Sequence, residues 1–248
     1  MKISRLVSII LALNFFGCSN DIQILEERIK TQAELNNTEI SPVEIKKTAL
    51  YLNAWSKKDF YEDAIAGFLE EDKSDFPREI EVLFTGSSSI RFWNSLEEDM
   101  QPLKVLNRGF GGAHISHVNH HFEDVIKRYS PKAIVFFCGT NDLTALKTPE
   151  ETIQDFEILK DKVHQALPSV HLFVIGIKPS PARVYLEKEE IAYNEMIAEI
   201  ASRDDLVTFI DIWDAMLSAE GERIPDLFVE DGLHINCLLY TSPSPRDS

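Results

Sequence analysis

Ala133-Ile134-Val135-Phe136-Phe137 offers no polar side to solvent. A strand that is apolar on both faces has to be covered on both, as in a parallel sheet with helices above and below. This segment belongs to the third of five apolar strand-like runs: Ile80 to Thr85, Lys104 to Asn107, Ala133 to Cys138, Leu172 to Ile177 and Leu206 to Ile212. Helix-like stretches alternate with them at about 114–128, 149–166 and 184–202, the second opening on the capping box Thr148-Pro149-Glu150-Glu151. Such alternation predicts a doubly wound α/β domain. Its ligand site is expected where the carboxyl ends of the strands run into loops.

The segments before that domain read differently. Lys2 and Arg5 precede an apolar run from Leu6 to Phe16 that ends at Gly17-Cys18. The run is too short to span a bilayer and suits the apolar core of an export signal. A cysteine after a small residue resembles a bacterial lipobox, with Phe15 where leucine is usual. Residues 1–18 are therefore expected to be a lipoprotein-type signal peptide. The expected location is the cell envelope, with membrane contact only through a lipid on Cys18. Residues 19–40 read as a tether or loose helix. Ser41-Pro42-Val43-Glu44 is a further capping box, and it opens one or two amphipathic helices expected to pack on the domain. The net charge of −16 argues against a nucleic-acid partner, which would need basic patches.

Polar residues that carry chemistry follow the strand-like runs. The first run enters Gly86-Ser87-Ser88-Ser89, the second Gly109-Phe110-Gly111-Gly112, and the third Gly139-Thr140-Asn141-Asp142. About twenty residues beyond the fifth comes Asp231-Gly232-Leu233-His234. A serine hydroxyl is a poor nucleophile until a base takes its proton. His234 is the candidate base, and Asp231 can fold back through a tight turn to orient its ring. Backbone N–H groups of Ser88 and Gly112 and the amide of Asn141 are candidate donors to a developing oxyanion.

With these four blocks in order, the chain resembles the SGNH hydrolases, also called GDSL esterases/lipases, over roughly residues 79–236. The resemblance implies a flavodoxin-like three-layer α/β/α sandwich with a five-stranded parallel sheet. It implies a catalytic Ser88, Asp231 and His234, an oxyanion hole of Ser88, Gly112 and Asn141, and no cofactor or metal. The family's Gly-Asp-Ser reads Gly86-Ser87-Ser88 here, and alignment on the glycine puts the nucleophile at Ser88. Residues 41–236 are read as the hydrolase domain with its helical extension. Residues 237–248, which contain Cys237, resemble translated adapter sequence and are read as a non-native tail. The expected activity is hydrolysis of short acyl esters, on an acetylated glycan or a small lipid. The competing reading is a surface-anchored, catalytically silent binding protein on the same fold.

Other residues receive blander readings. His114, His117, His120 and His121 suggest a metal site by spacing but lack a His-Glu-x-x-His motif; a helix edge flanking the cleft is preferred. Cys138 is read as core rather than nucleophile. Asn107 and Arg108 are expected to brace the glycine turn, and Asp142 to do the same beside Asn141. Lys178-Pro179-Ser180-Pro181 is expected to shape the site rim, with Arg183 and Tyr185 as nearby exposed groups.

Overall fold

The computed structural model describes residues 21–236. Residues 1–18, expected from sequence to be a signal peptide ending at Cys18, and residues 237–248, read as a non-native tail, lie outside the described residues. The chain divides into two compact units, one ending at Phe60 and one beginning at Tyr61.

In the first unit, residues 21–35 form a helix, α1. Helix α2, Pro42–Trp55, starts at the capping box foreseen from sequence: the Ser41 hydroxyl accepts from the Glu44 N–H, and the Glu44 carboxylate accepts from the Ser41 N–H at 2.9 Å. It buries Ile45, Ala49 and Leu52.

The second unit opens with α3, Glu62–Ser74, and then holds a five-stranded sheet. Its strands are β1 (Val82–Gly86), β2 (Val105–Gly109), β3 (Ala133–Phe137), β4 (His171–Ile175) and β5 (Val207–Ile210). All neighbours pair parallel, in the order β2-β1-β3-β4-β5. This is the flavodoxin-like order, with its switch point between β1 and β3. The register aligns Gly86 with Gly109 and with Phe137, so the loops after β1, β2 and β3 leave the sheet at one level.

Short helices α4 (Ser88–Arg91) and α5 (Leu96–Asp99) follow β1. After β2 come α6 (Ile115–His120) and α7 (Phe122–Val125), where one helix had been expected over 114–128. The break falls in a run of His and Asn residues, which hold a helix weakly. Helix α8 (Thr140–Thr144) follows β3, α9 (Pro149–Ala166) leads to β4, and α10 (Glu187–Ala201) leads to β5. Helix α9 starts at its foreseen capping box. The main core contains Leu83, Ile134, Phe136 and Leu172 from the sheet with Val118, Phe156, Leu159 and Tyr193 from helices. A second cluster gathers Phe84, Ile90, Val135 and Phe137, so β1 and β3 are apolar on both faces.

Arg108 differs from expectation. Its guanidinium turns away from the glycine turn to Asp72 on α3 at 2.6 Å and to the Tyr129 hydroxyl at 2.8 Å. Asp72 and Arg108 are both buried, and a buried cation requires such a partner. Burial first, with the Asp72 carboxylate adding to it, pushes the Tyr129 phenol up to about 12 against the opposing pull of Arg108.

Candidate active site

Ser88 is the first residue of α4, two residues past the end of β1. Ser87 and Ser89 are buried, whereas Ser88 is partly exposed. The turn is held from two sides. The Ser87 N–H donates to the Phe137 carbonyl at 2.9 Å, and the Phe110 N–H to the Gly86 carbonyl at 3.0 Å. Gly86 has φ of +127°, and a Cβ placed there would lie 2.1 Å from the Phe137 oxygen. Only glycine lets β1 run this close to β3 before the chain turns.

The turn 109–112 lies beside the serine. A Cβ built at Gly111 would stand 4.0 Å from the Ser88 Cβ. Asn107 braces this turn: its side-chain oxygen accepts from the Gly109 N–H at 2.9 Å and its amide donates to the Ile90 carbonyl at 2.6 Å. Asn141, in the first turn of α8, donates one amide hydrogen to the Ala113 carbonyl at 3.0 Å. Its second amide hydrogen is a further donor on the same side chain. Asp142 braces a different element from the one expected. It accepts from the Ile115 N–H at 3.1 Å, at the start of α6, and pairs with Lys147 at 2.8 Å.

Asp231 and His234 lie in a loop. The Asp231 Oδ1 accepts from the N–H groups of Leu233 at 2.8 Å and His234 at 2.9 Å, closing a tight turn. Its Oδ2 is 2.5 Å from His234 Nδ1, and His234 Nε2 is 2.8 Å from Ser88 Oγ. With Nδ1–H donating to the carboxylate, Nε2 is left to accept the serine hydroxyl proton. Partial burial pushes the Asp231 carboxyl up. The N–H of His234, the imidazole and the N–H of Leu233 outweigh it and hold the group down at about 2. Asp231 is therefore an anion throughout the neutral range.

Phe92, which the sequence does not single out, joins the site, and Lys178, expected at the site rim, lies inside it. The Phe92 ring meets the His234 ring edge-on, 5.0 Å between centroids, and restricts the imidazole. Its place just after the serine turn is the available signal in the sequence. Trp93, just beyond α4, packs edge-on against Phe84, with its indole N–H on Asp99 at 2.6 Å. Lys178 is 2 % exposed, and its ammonium donates to Ser89 Oγ at 3.0 Å. Nothing in Ile177-Lys178-Pro179 distinguishes a buried lysine from a surface one.

A cavity of about 480 Å³ opens beside His234, lined by Phe92, Asn94, Val229, His234, Ile235 and Asn236 among others. The histidine-rich segment does not converge on a point. The His117 Nδ1 accepts from the His114 N–H, and His120 is exposed. Among the described residues no three His, Cys, Asp or Glu side chains are grouped to hold a metal. Cys138 is buried and donates its thiol to the Ala113 carbonyl at 3.2 Å; burial pushes that thiol well up.

A parallel 2-1-3-4-5 sheet with the Ser, Gly, Asn and Asp-x-x-His blocks at its loops is the architecture of an SGNH hydrolase, a class of ester-hydrolysing enzymes. Residues 84–240 match the GDSL-like Lipase/Acylhydrolase family, and the chain belongs to that family. Among solved structures it is similar to a Streptococcus pneumonia protein described in terms of platelet activating factor, at 20% identity over 78% of this chain and 93% of that one, TM-score 0.66. It is also similar to a GDSL-like lipase from Bacteroides thetaiotaomicron, at 16% identity over 74% and 91%, TM-score 0.56. A family 3 carbohydrate esterase from Clostridium thermocellum shares the fold at 16% identity over 66% and 90%, TM-score 0.51. No curated protein matches the sequence.

Proposed function

We propose that this enzyme cleaves short acyl esters through an acyl-enzyme on Ser88. The observation that carries the reading is the unbroken series from Ser88 Oγ to His234 Nε2, 2.8 Å, and from His234 Nδ1 to Asp231, 2.5 Å. His234 takes the hydroxyl proton as Ser88 Oγ bonds to the ester carbonyl carbon. Asp231 keeps the ring in the productive tautomer and offsets the charge of the imidazolium. The N–H groups of Ser88 and Gly112 and the free amide hydrogen of Asn141 receive the oxyanion, each such donor being worth about 3 kcal/mol in the transition state. The alcohol leaves with the proton from His234. Water, deprotonated by the same imidazole, then splits the acyl-serine and releases the acid.

The cavity beside His234 combines Phe92, Val229 and Ile235 with Asn94, Ser95 and Asn236. That lining suits a small alcohol or acyl group with polar substituents better than a long alkyl chain. An acetylated glycan or a small lipid ester is the substrate class we favour. We place the enzyme in the cell envelope, tethered through Cys18, on the strength of the leader sequence alone.

The test is labelling with a fluorophosphonate together with hydrolysis of nitrophenyl esters of increasing chain length. Wild type should label once, at Ser88, and favour the shortest acyl chains. Ser88→Ala should lose labelling and reduce turnover on the order of 10⁴-fold or more. A folded wild-type protein that ignores the probe would return the chain to the silent binding alternative.

A further inference from the structure

The loop after β4 touches both halves of the site through one buried cation. Ile177 is clamped by Asn194 of α10, whose side-chain oxygen accepts from the Ile177 N–H and whose amide donates to the Ile177 carbonyl, both at 2.8 Å. Lys178 follows directly and points inward, 4.8 Å above the Phe137 ring, to reach Ser89 Oγ. Four residues later the Ala182 N–H donates to the Gly232 carbonyl at 3.0 Å, inside the turn between Asp231 and His234. The loop thus binds the helix that carries Ser88 on one side and the loop that carries His234 on the other.

The charges around Lys178 complete the arrangement. Glu190 precedes Asn194 by one helical turn on α10, so the two project from the same face. Glu190 is fully buried, and neither carboxylate oxygen has a hydrogen-bond partner. A buried carboxylate without such bonds persists only beside positive charge or by taking up a proton. The groups that act on Lys178 are Glu190 from α10, Asp231 from the histidine loop and Arg183 from the 3-10 segment Pro181–Leu186. Ser89 and the Phe137 ring close the remaining sides.

We propose that Lys178 is a positioning residue for ester hydrolysis: as a buried ammonium bonded to Ser89, in the loop that also bonds Gly232, it fixes the Ser88 turn and the Asp231 side of the site in one geometry. The inference rests on the reading of Ser88 as nucleophile. The ammonium holds Ser89 through a charge-assisted bond, which is stronger than a neutral one. Burial pushes the Lys178 ammonium down to about 8 against the pull of Glu190 and Asp231, and burial pushes Glu190 up. The two titrate as a coupled pair. The cation is present below that pH and lost above it, so the effect on rate is a loss on the alkaline side.

The experiment follows the second-order rate of fluorophosphonate labelling at Ser88 and the kcat and KM for p-nitrophenyl acetate from pH 6 to pH 10. Wild type, Lys178→Met and Glu190→Gln are compared, with thermal unfolding recorded on the same preparations. Wild type should lose rate as pH rises through about 8. Lys178→Met should label about 10–100-fold more slowly at pH 7, with kcat reduced in parallel, KM within about threefold, and no alkaline limb. Glu190→Gln removes a carboxyl that, as it ionises around pH 8, favours the charged lysine, and should move the alkaline limb to lower pH. A folded Lys178→Met with wild-type labelling rate and profile overturns the proposal. Should Lys178→Met fail to fold, the Glu190→Gln profile decides, and an unmoved limb overturns it. Absence of labelling at Ser88 in wild type is a separate result that removes the nucleophile reading itself.

Discussion

Ser88 stands at the end of a strand paired on both sides, while His234 stands in a loop outside the sheet. Strand β1 lies between β2 and β3, and the turn after it is hydrogen-bonded to both Phe137 and Phe110. The histidine loop is held by an isolated bridge between Phe228 and Ile235, a few backbone bonds, and the contact of Ala182 with Gly232. Asp231 is exposed, whereas Ser87, Ser89 and Gly86 are buried. Ser88 is therefore positioned by the same packing that makes the fold, and His234 by local turn chemistry. Damage on the first side should show as lost stability, and damage on the second as lost activity in a protein that still melts normally.

Two glycines give that comparison its sharpest form, and Gly86 carries the larger effect. Gly86→Ala puts a methyl 2.1 Å from the Phe137 oxygen at a φ of +127°, in a ladder where neither strand can yield without unpairing. The expected loss is about 3 kcal/mol or more, a fall of roughly 6–12 °C in melting temperature. Calorimetry or thermal circular dichroism checks it. An alanine variant with wild-type stability would show that the serine side is not fixed by the sheet.

Asp231→Asn is the matching change on the base side. Asparagine keeps an oxygen for the two backbone N–H groups of the turn but loses the charge that faces the imidazole. Turnover should fall on the order of 10³–10⁴-fold, with little change in melting temperature. The carboxyl is held down at about 2, so its contribution to loop order is present above the ordinary carboxylate range and lost only as pH falls towards 2. Acid loss of activity above about pH 4 must then come from another group. A reversible loss in Asp231→Asn of both activity and melting temperature would contradict the division between the two sides.

How much of this was legible follows the same line. The strands were readable because apolar runs on both faces leave few alternatives, and the observed strands shift from the expected ones by at most two residues at most ends. The capping boxes at Ser41 and Thr148 were readable because their chemistry is local. Arg108 was misplaced because its partner, Asp72, is 36 residues away, and no local pattern marks a helix acid as buried. The bond of Asp142 to Ile115 is hidden for the same reason, since Ile115 opens α6, 27 residues away in the chain. The segment of Lys178 is legible as a rim loop, but not the burial of its side chain, which depends on which elements close over it, here α4, β3 and α10. Motif residues can be found by spacing; their supports are tertiary and have to be seen.

Gly232→Ala is the smallest of the expected effects and the one that probes the loop by itself. Gly232 sits at φ of +62°, and an added Cβ would meet Pro181 at 3.4 Å, an ordinary contact. The cost is then conformational, about 1–2 kcal/mol for a non-glycine residue in the left-handed region. In a loop that opens independently of the sheet, this penalty falls on the population that presents His234 to Ser88. Activity should drop about 5–30-fold while the melting temperature barely moves, because the global unfolding reaction starts from a state already weakly tied there. Gly232→Asn should recover part of the loss, since asparagine tolerates that conformation. If Gly232→Ala instead lowers the melting temperature as Gly86→Ala does, the histidine loop unfolds together with the sheet. The two halves of the site would then be one cooperative unit rather than a rigid side and a locally built one.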